Sequence, residues 1–568
     1  MINPKESSGY IHPAMKYREH HSLKYDGWSE YKPIEEFQRQ GIILDNEEIN
    51  ISYKDSSASN GFRITFANKN FELCQTYPEL FLVPKKISDD DLREASTFRT
   101  KARIPVLCYY NKENNVSLWR SSQTRSGLTY QRNEKDEKLV EGIIDLMYKK
   151  NSDNVYNNLN HIKKLIIYDA RPYLNALANR LKGAGFENTD NYRNTEIRFC
   201  EIDNIHCVRN AYIKLNTLVN HPKFLENKNF FSQLEQTTWY NFIYQIVKTS
   251  IEIATSLKSG HSVLIHCSDG WDRSSQLTAL SQLLIDPYYR TIKGLIVLIE
   301  KEWLSFGHQF RYRNGFYMTK DHSEDERAPI FLQWLDCVHQ LVLQFPHMFE
   351  FNNELLVFIA YHINSCLYGT FLFNSECDRV EKYARNKTVS IWSDVMENFE
   401  SFVNPFYENS LSENVKYLLP NFPFYKIRLW EEYYLKYLHF NNNCGKYYTI
   451  DVNKTCGSLN KNKNRSKNSG ERVIDVKKSK IKTNHRYIEL QKINDKKIIE
   501  EQSNEIHMLN KIIKEIDVKV LSKSTASEIN QLSEESMMYL ADIIKSQVVD
   551  NDEFVFLKNS LCESNSEK

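Results

Sequence analysis

The run His266-Cys267-Ser268-Asp269-Gly270-Trp271-Asp272-Arg273 separates a cysteine from an arginine by five residues. It follows the apolar stretch Val263-Leu264-Ile265 and precedes the helix-like Gln276-Leu277-Thr278-Ala279-Leu280. That order reads as strand, tight loop and helix. A loop closing onto a helix N-terminus turns several backbone N–H groups toward one point with the helix dipole behind them, which makes an anion cradle. The same surroundings favour the nucleophilic thiolate of a cysteine at the start of the loop. Arg273 would return a planar, permanently charged fork to two oxygens of a phosphoryl group. Cys267 is therefore the expected nucleophile, Arg273 the expected phosphate clamp, and the chemistry phosphoryl transfer to sulfur. The leaving alcohol needs a proton and the thiophosphate must then be hydrolysed, so a carboxylic acid is expected close by. Asp269 and Asp272 lie inside the loop itself.

Length and composition bound the rest. The chain has 568 residues and a formal net charge of only +1, so attraction to an acidic partner must come from local clusters. Its 11 cysteines follow no repeated spacing, which argues against a disulfide framework, and a nucleophilic Cys267 needs a reducing, cytosolic setting. No apolar run reaches the roughly 18–20 residues of a membrane span, so an enzyme acting on lipid would reach head groups from the water side. No metal or cofactor is expected. Strand-like runs such as Leu165-Ile166-Ile167 alternate with helical patterns such as Trp239 to Val247, the signature of βα units around a covered sheet. Both Asp169-Ala170-Arg171-Pro172 and the Cys267 loop follow strand-like runs, so the two are expected to share one crevice at the strands' carboxyl ends.

The loop does not stand alone. Asp286-Pro287-Tyr288-Tyr289-Arg290-Thr291-Ile292 follows it, then Leu298 to His308 with Trp303-Leu304-Ser305-Phe306-Gly307-His308. Upstream lie Arg103-Ile104-Pro105-Val106-Leu107, Trp119-Arg120-Ser121-Ser122-Gln123, the Asp169 block with Asn175 and Asn179, and Asn204-Ile205-His206. Downstream, Phe331 to Cys337 and Gly369-Thr370-Phe371-Leu372 continue the series. In this order, from about Gly27 to about Phe440, the chain resembles the myotubularin family of inositol-lipid phosphatases. The resemblance implies an α/β cysteine-dependent phosphatase fold with a mostly parallel central sheet. It also implies removal of the 3-phosphate from phosphatidylinositol 3-phosphate and phosphatidylinositol 3,5-bisphosphate, by a cytoplasmic enzyme peripheral on endosomal-type membranes.

By the same resemblance Cys267 is the nucleophile, Arg273 the clamp and Asp272 the proton donor, while Asp269 orients the inositol hydroxyls. Ser268, Gly270 and Trp271 line the substrate with the rest of the loop, and Asn179, Asn204 and Ile205 touch its head group. His266 is expected to be structural, its ring bonded to backbone, and Arg171 a scaffold ion-pair partner. The family usually has two basic residues for the second phosphate of the bisphosphate; here those positions are Gln309 and Arg313, so half the pair is missing. The monophosphate is then expected to be turned over at least as well as the bisphosphate. Ser274 and Thr124 replace a usual threonine and proline. Two other functions use the same loop: a catalytically silent dimeric scaffold of this family and a protein-tyrosine phosphatase. The retained loop argues against the first, and the blocks outside it against the second.

Domain organisation follows. Residues 1–26 are expected to be a short N-terminal segment with no room for the pleckstrin-homology-like domain usual in the family, so that either the protein lacks that domain or the chain is incomplete, and 27–440 are expected to form the phosphatase domain. Residues 441–487 read as a basic flexible linker, with twelve Lys and Arg against three acidic residues from Lys446 to Arg486. Nucleic-acid binding is not expected of it, since no aromatic interleaving or base-reading fold accompanies the charge. Ile488, Ile499, Ile506, Leu509, Ile513, Ile516 and Val520, spaced by threes and fours with polar Lys492, Asp495 and Gln502, predict a coiled coil over 488–522. A homodimer, or a heterodimer with a family member, is expected through it. Residues 523–568 hold a last amphipathic helix, opened by a Thr525-Ala526-Ser527-Glu528 capping box, and a tail.

Overall fold

A computed structural model of the chain describes residues 13–20, 24–42, 61–148, 163–221, 227–316 and 326–435. The expected linker, coiled coil and last helix lie outside these residues. Seven strands are described: β1 Phe62–Thr65, β2 Phe81–Pro84, β3 Val106–Asn111, β4 Val116–Ser122, β5 Leu165–Asp169, β6 Thr195–Phe199 and β7 Val263–Cys267. β1 and β2 pair antiparallel; the others form one sheet in the order β3-β4-β7-β5-β6. β4, β7, β5 and β6 run parallel, and β3 is added antiparallel at the edge. Every residue of β4, β5 and β7 is buried, as strands covered by helices on both faces must be. The fold is thus the expected mixed α/β body with a largely parallel sheet.

Register brings the site together. Ser122 of β4 pairs with Cys267 of β7, and Asp169 of β5 with His266. Three carboxyl ends therefore lie side by side, which brings the Asp169 and Cys267 blocks together. The helix Arg273–Ile285 leaves β7 through the loop and is buried on all sides, from Ser274 to Ile285. Three of its polar residues are bonded inside: Gln276 Nε2 donates to Gln333 Oε1 (2.8 Å), and Thr278 Oγ1 and Gln282 Nε2 donate to Glu302 (2.8 Å each). Glu302 stands in a π-helical turn, Glu300–Ser305, that directs it and Lys301 into the interior.

The N-terminal residues belong to this body. Tyr17, in the helix Pro13–His20, donates to Asp394 (2.9 Å), and Gly27 N donates to Ser393 Oγ (3.0 Å). An expected boundary at residue 27 therefore falls inside a packed unit. Gly27 has no room for a side chain against the Trp392–Ser393 backbone. At the other end Trp430 and Tyr434 are buried, with the Tyr434 hydroxyl 3.0 Å from Asp336. No described helix is long and apolar enough to cross a membrane.

Candidate active site

Cys267 closes β7 and Arg273 opens the following helix, so the five residues between them must turn the chain over a short path. Gly270 makes that possible. Its φ of +79° is left-handed, and a Cβ there would collide with the Ser121 carbonyl, so the loop lies directly on the end of β4. Gln123 N donates to Ser268 O (3.1 Å) from the same strand end. Two fully buried guanidinium groups hold the loop from behind. Arg103 (3.0 Å) and Arg120 (2.7 Å) both donate to Gly270 O. Arg120 is balanced by Glu302 (2.9 Å), whereas Arg103 meets only neutral acceptors at Thr76, Gly270 and Phe306. Burial pulls the Arg103 pKa down from its usual range.

The inner face of the loop carries unpaired donors. Gly270 N donates to Cys267 Sγ (3.3 Å). The N–H groups of Ser268, Asp269, Trp271, Asp272 and Arg273 donate to no acceptor among the described residues. Arg273 Nη1 donates to Ile202 O (3.0 Å), and Nη2 reaches Ser268 Oγ (3.5 Å). Both acceptors are neutral, and no carboxylate ion pair of Arg273 occurs among the described residues, so its charge remains for an incoming anion. Backbone donors, an uncancelled guanidinium and a thiol converge as a tetrahedral dianion requires.

The two loop carboxyls sit in opposite surroundings. Burial would raise the pKa of Asp272, but Arg313 grips both its oxygens (Nε–Oδ1 3.0 Å, Nη2–Oδ2 2.8 Å) and His308 Nδ1 lies 3.2 Å away. The result is a carboxylate well below its ordinary range. Asp269 has no such partner; burial, then the charge of Asp272, raises its pKa. Of the two loop carboxyls, Asp272, the expected proton donor, is thus the one whose pKa is held down, and Asp269 the one whose pKa is raised. Arg313, expected on the second phosphate, spends its donors on Asp272 and Glu326 (2.6 Å). Gln309 is buried, its amide on Gly307 O (2.8 Å).

Each asparagine expected on the head group has one side-chain atom bonded within the protein. Asn179 Nδ2 donates to Gln123 Oε1 (3.2 Å). Asn204 caps the helix Ile205–Val219, its Oδ1 accepting from His206 N (3.0 Å) and Cys207 N (3.2 Å), and Ile205 is that helix's first residue. Arg171 is the scaffold partner foreseen: it pairs two-pronged with Asp169 (2.9 and 2.6 Å) and also meets Gln123.

His266 is bound more strongly than backbone contacts would make it. Its Nδ1 lies 3.4 Å from Cys267 O, but Nε2 stands 2.9 Å from the Glu187 carboxylate. Glu187 in turn pairs with Arg99 (2.6 Å), and Arg99 with Asp136 (2.7 Å), all fully buried. Burial would lower the His266 pKa, yet Glu187 and Asp169 outweigh it and raise it. This charge chain directly under the nucleophile was not legible, because Glu187 sits in an ordinary-looking stretch, Gly185-Phe186-Glu187, far from the loop in sequence.

With the loop's geometry set out, comparison with known proteins decides the family. The model of the myotubularin-like phosphatase domain matches residues 12–380. The chain belongs to the myotubularin family. It is 41% identical over 413 residues to myotubularin of Xenopus laevis, covering 72% of this chain and 63% of the relative. Against myotubularin of Rattus norvegicus it is 39% identical over 429 residues, with 75% and 66% covered. With the phosphatidylinositol-3,5-bisphosphate 3-phosphatase MTMR2 of Mus musculus it shares 41% over 425 residues, with 75% and 61% covered. The match therefore spans less than two thirds of these relatives' own length.

Proposed function

We propose that this chain is a phosphoinositide 3-phosphatase that hydrolyses phosphatidylinositol 3-phosphate, and phosphatidylinositol 3,5-bisphosphate as well, through a phosphocysteine. The observation that carries the reading is the Cys267–Arg273 loop, whose N–H groups are unpaired and whose arginine meets no carboxylate among the described residues. Membership in the myotubularin family and the printed activity of the MTMR2 relative support the substrate class. Cys267 Sγ attacks phosphorus as the bond to the inositol 3-oxygen breaks. The loop N–H groups and Arg273 hold the three remaining oxygens, whose charge grows in the transition state. Asp269 gives its proton to the departing oxygen. The resulting carboxylate then takes a proton from the water that attacks the thiophosphate, releasing inorganic phosphate and restoring both groups. Asp272, kept anionic by Arg313 and His308, fixes the end of the loop.

Phosphate release from short-chain phosphatidylinositol 3-phosphate, its 3,5-bisphosphate and a phosphotyrosine peptide tests the substrate class. Release from the lipids at least a hundred times faster than from the peptide is expected. Equal rates would favour a protein phosphatase, and no release from any of the three a silent scaffold.

A further inference from the structure

Gly270 faces both sides of the loop. Its N–H donates to Cys267 Sγ (3.3 Å) on the inner face, while its carbonyl accepts from Arg103 Nη2 (3.0 Å) and Arg120 Nη2 (2.7 Å) behind. That carbonyl shares a peptide unit with the Trp271 N–H, one of the loop donors that has no acceptor among the described residues. The peptide unit is conjugated, so a cation on its oxygen draws electron density from its nitrogen and makes the N–H a stronger donor. The two guanidinium groups thus act on an anion in the loop without touching it.

They are not equivalent. Arg120 pairs with Glu302 (2.9 Å), which cancels its charge. Arg103 meets Thr76 O (3.0 Å), Thr76 Oγ1 (2.8 Å), Gly270 O and Phe306 O (2.8 Å), all neutral, and its Nε is buried with no acceptor among the described residues. The ring of Tyr77, 4.2 Å from the guanidinium carbon, fixes it in place. Of the other fully buried arginines, Arg99 and Arg171 also pair with carboxylates. Arg290, like Arg103, bonds only to neutral oxygens, but none of them belongs to the loop. A buried charge without a counter-ion is expensive. At Arg103 the cost is offset when an anion fills the other side of the Gly270–Trp271 peptide.

We propose that Arg103 is a positioning residue for phosphoryl transfer, whose uncancelled charge acts through the Gly270–Trp271 peptide to strengthen the loop's hold on the phosphoryl oxygens. This rests on the phosphatase reading above. Because charge on those oxygens grows in the transition state, the effect belongs in kcat more than in KM.

Two alkylating reagents read the charge at the loop without any substrate. Iodoacetate and iodoacetamide both lose iodide to the Cys267 sulfur, but only iodoacetate brings an anion for the loop to hold; mass spectrometry of the Cys267 peptide follows both rates. Arg103→Gln, which keeps a neutral donor, is expected to slow iodoacetate about tenfold and iodoacetamide less than threefold, and Arg103→Lys to keep both within about threefold of the unsubstituted chain. With short-chain phosphatidylinositol 3-phosphate, Arg103→Gln is expected to lower kcat about tenfold with KM changed less than threefold, and Arg103→Lys to restore most of kcat. Equal slowing of the two reagents, or a lysine variant as impaired as the glutamine one, would assign Arg103 to scaffolding and overturn the proposal. Should Arg103→Gln fail to fold, Arg103→Lys decides, because it keeps the charge but not the fork: a reagent ratio retained within threefold supports the proposal, and a tenfold loss overturns it. Phosphate release by the unsubstituted chain tests the phosphatase reading separately, since the reagent ratio needs no turnover.

Discussion

Asp272 is held between Arg313 and His308 and has little tendency to carry a proton, whereas the neighbouring Asp269 is pushed toward its acid form by burial. Asp269→Asn is accordingly expected to slow turnover of the lipid, whose alkoxide leaves poorly, by about 10²–10⁴-fold. An aryl phosphate, whose leaving group needs no proton, should lose less than tenfold. Asp272→Asn should cost both substrates alike, because it releases Arg313 and disturbs the loop. Steady-state rates on the two substrates decide it; the opposite pattern would return the proton to Asp272. At this scale the sequence was most legible where the chemistry is contiguous. Cys267, the loop residues and Arg273 are neighbours in the chain, so their convergence needs only one strand-to-helix turn. Arg103, Arg120, Gln123 and Glu187 reach the same spot from distant segments, and nothing local in their sequences distinguishes a clamp from any other polar residue. Asn204, expected on the head group, spends its side-chain oxygen as a helix cap, a role open to any Asn before a helix.

Single elements show why burial was harder to foresee than position. The strands β5 and β7 were marked by apolar runs, and their carboxyl ends meet as parallel βα packing requires. The helix Arg273–Ile285 carries Ser274, Ser275, Gln276, Thr278, Ser281 and Gln282, a composition that suggests a solvated face, but all are buried, and Gln276, Thr278 and Gln282 are held by Gln333, Glu302 and Lys301. Another such case is the helix Pro33–Arg39. Its Glu36 is buried against Lys301 Nζ (3.1 Å), Arg39 Nε (2.8 Å), Gln40 Nε2 (2.7 Å) and the Tyr289 hydroxyl. Burial works to raise its pKa, but Lys301 and Arg39 prevail and hold it at about 2. A depressed carboxyl stabilises the fold above its unfolded value and loses that contribution as pH falls through the folded one, here between about 4.5 and 2. Glu36→Gln is expected to lower unfolding free energy by about 3 kcal/mol at pH 7, a gap shrinking to about 1 kcal/mol at pH 3. Urea unfolding at the two pH values measures it. An equal gap at both would mean that the ion pairs do not stabilise the fold through the charge of Glu36.

For the whole molecule, one body carries the site, and the described residues from Tyr17 to Tyr434 contribute to its packing. The expected coiled coil lies beyond them, and because its heptads would fall after Arg486, any dimer contact it makes is expected to be separable from catalysis. Removing residues 487–568 is expected to halve the mass measured by light scattering and leave the rate per chain unchanged; an unchanged mass would remove the coiled coil as the dimer contact. The family was legible at this scale because its blocks run in order along more than four hundred residues. The catalytic claim itself rests on one sulfur. A serine at position 267 fills similar space but its hydroxyl cannot supply the anionic nucleophile. The direct measurement is inorganic phosphate released from phosphatidylinositol 3-phosphate by the chain and by its Cys267→Ser variant, at equal binding of the lipid. The account predicts release by the first and, for the second, less than about a thousandth of that rate; a variant retaining more than about a tenth would contradict the covalent mechanism.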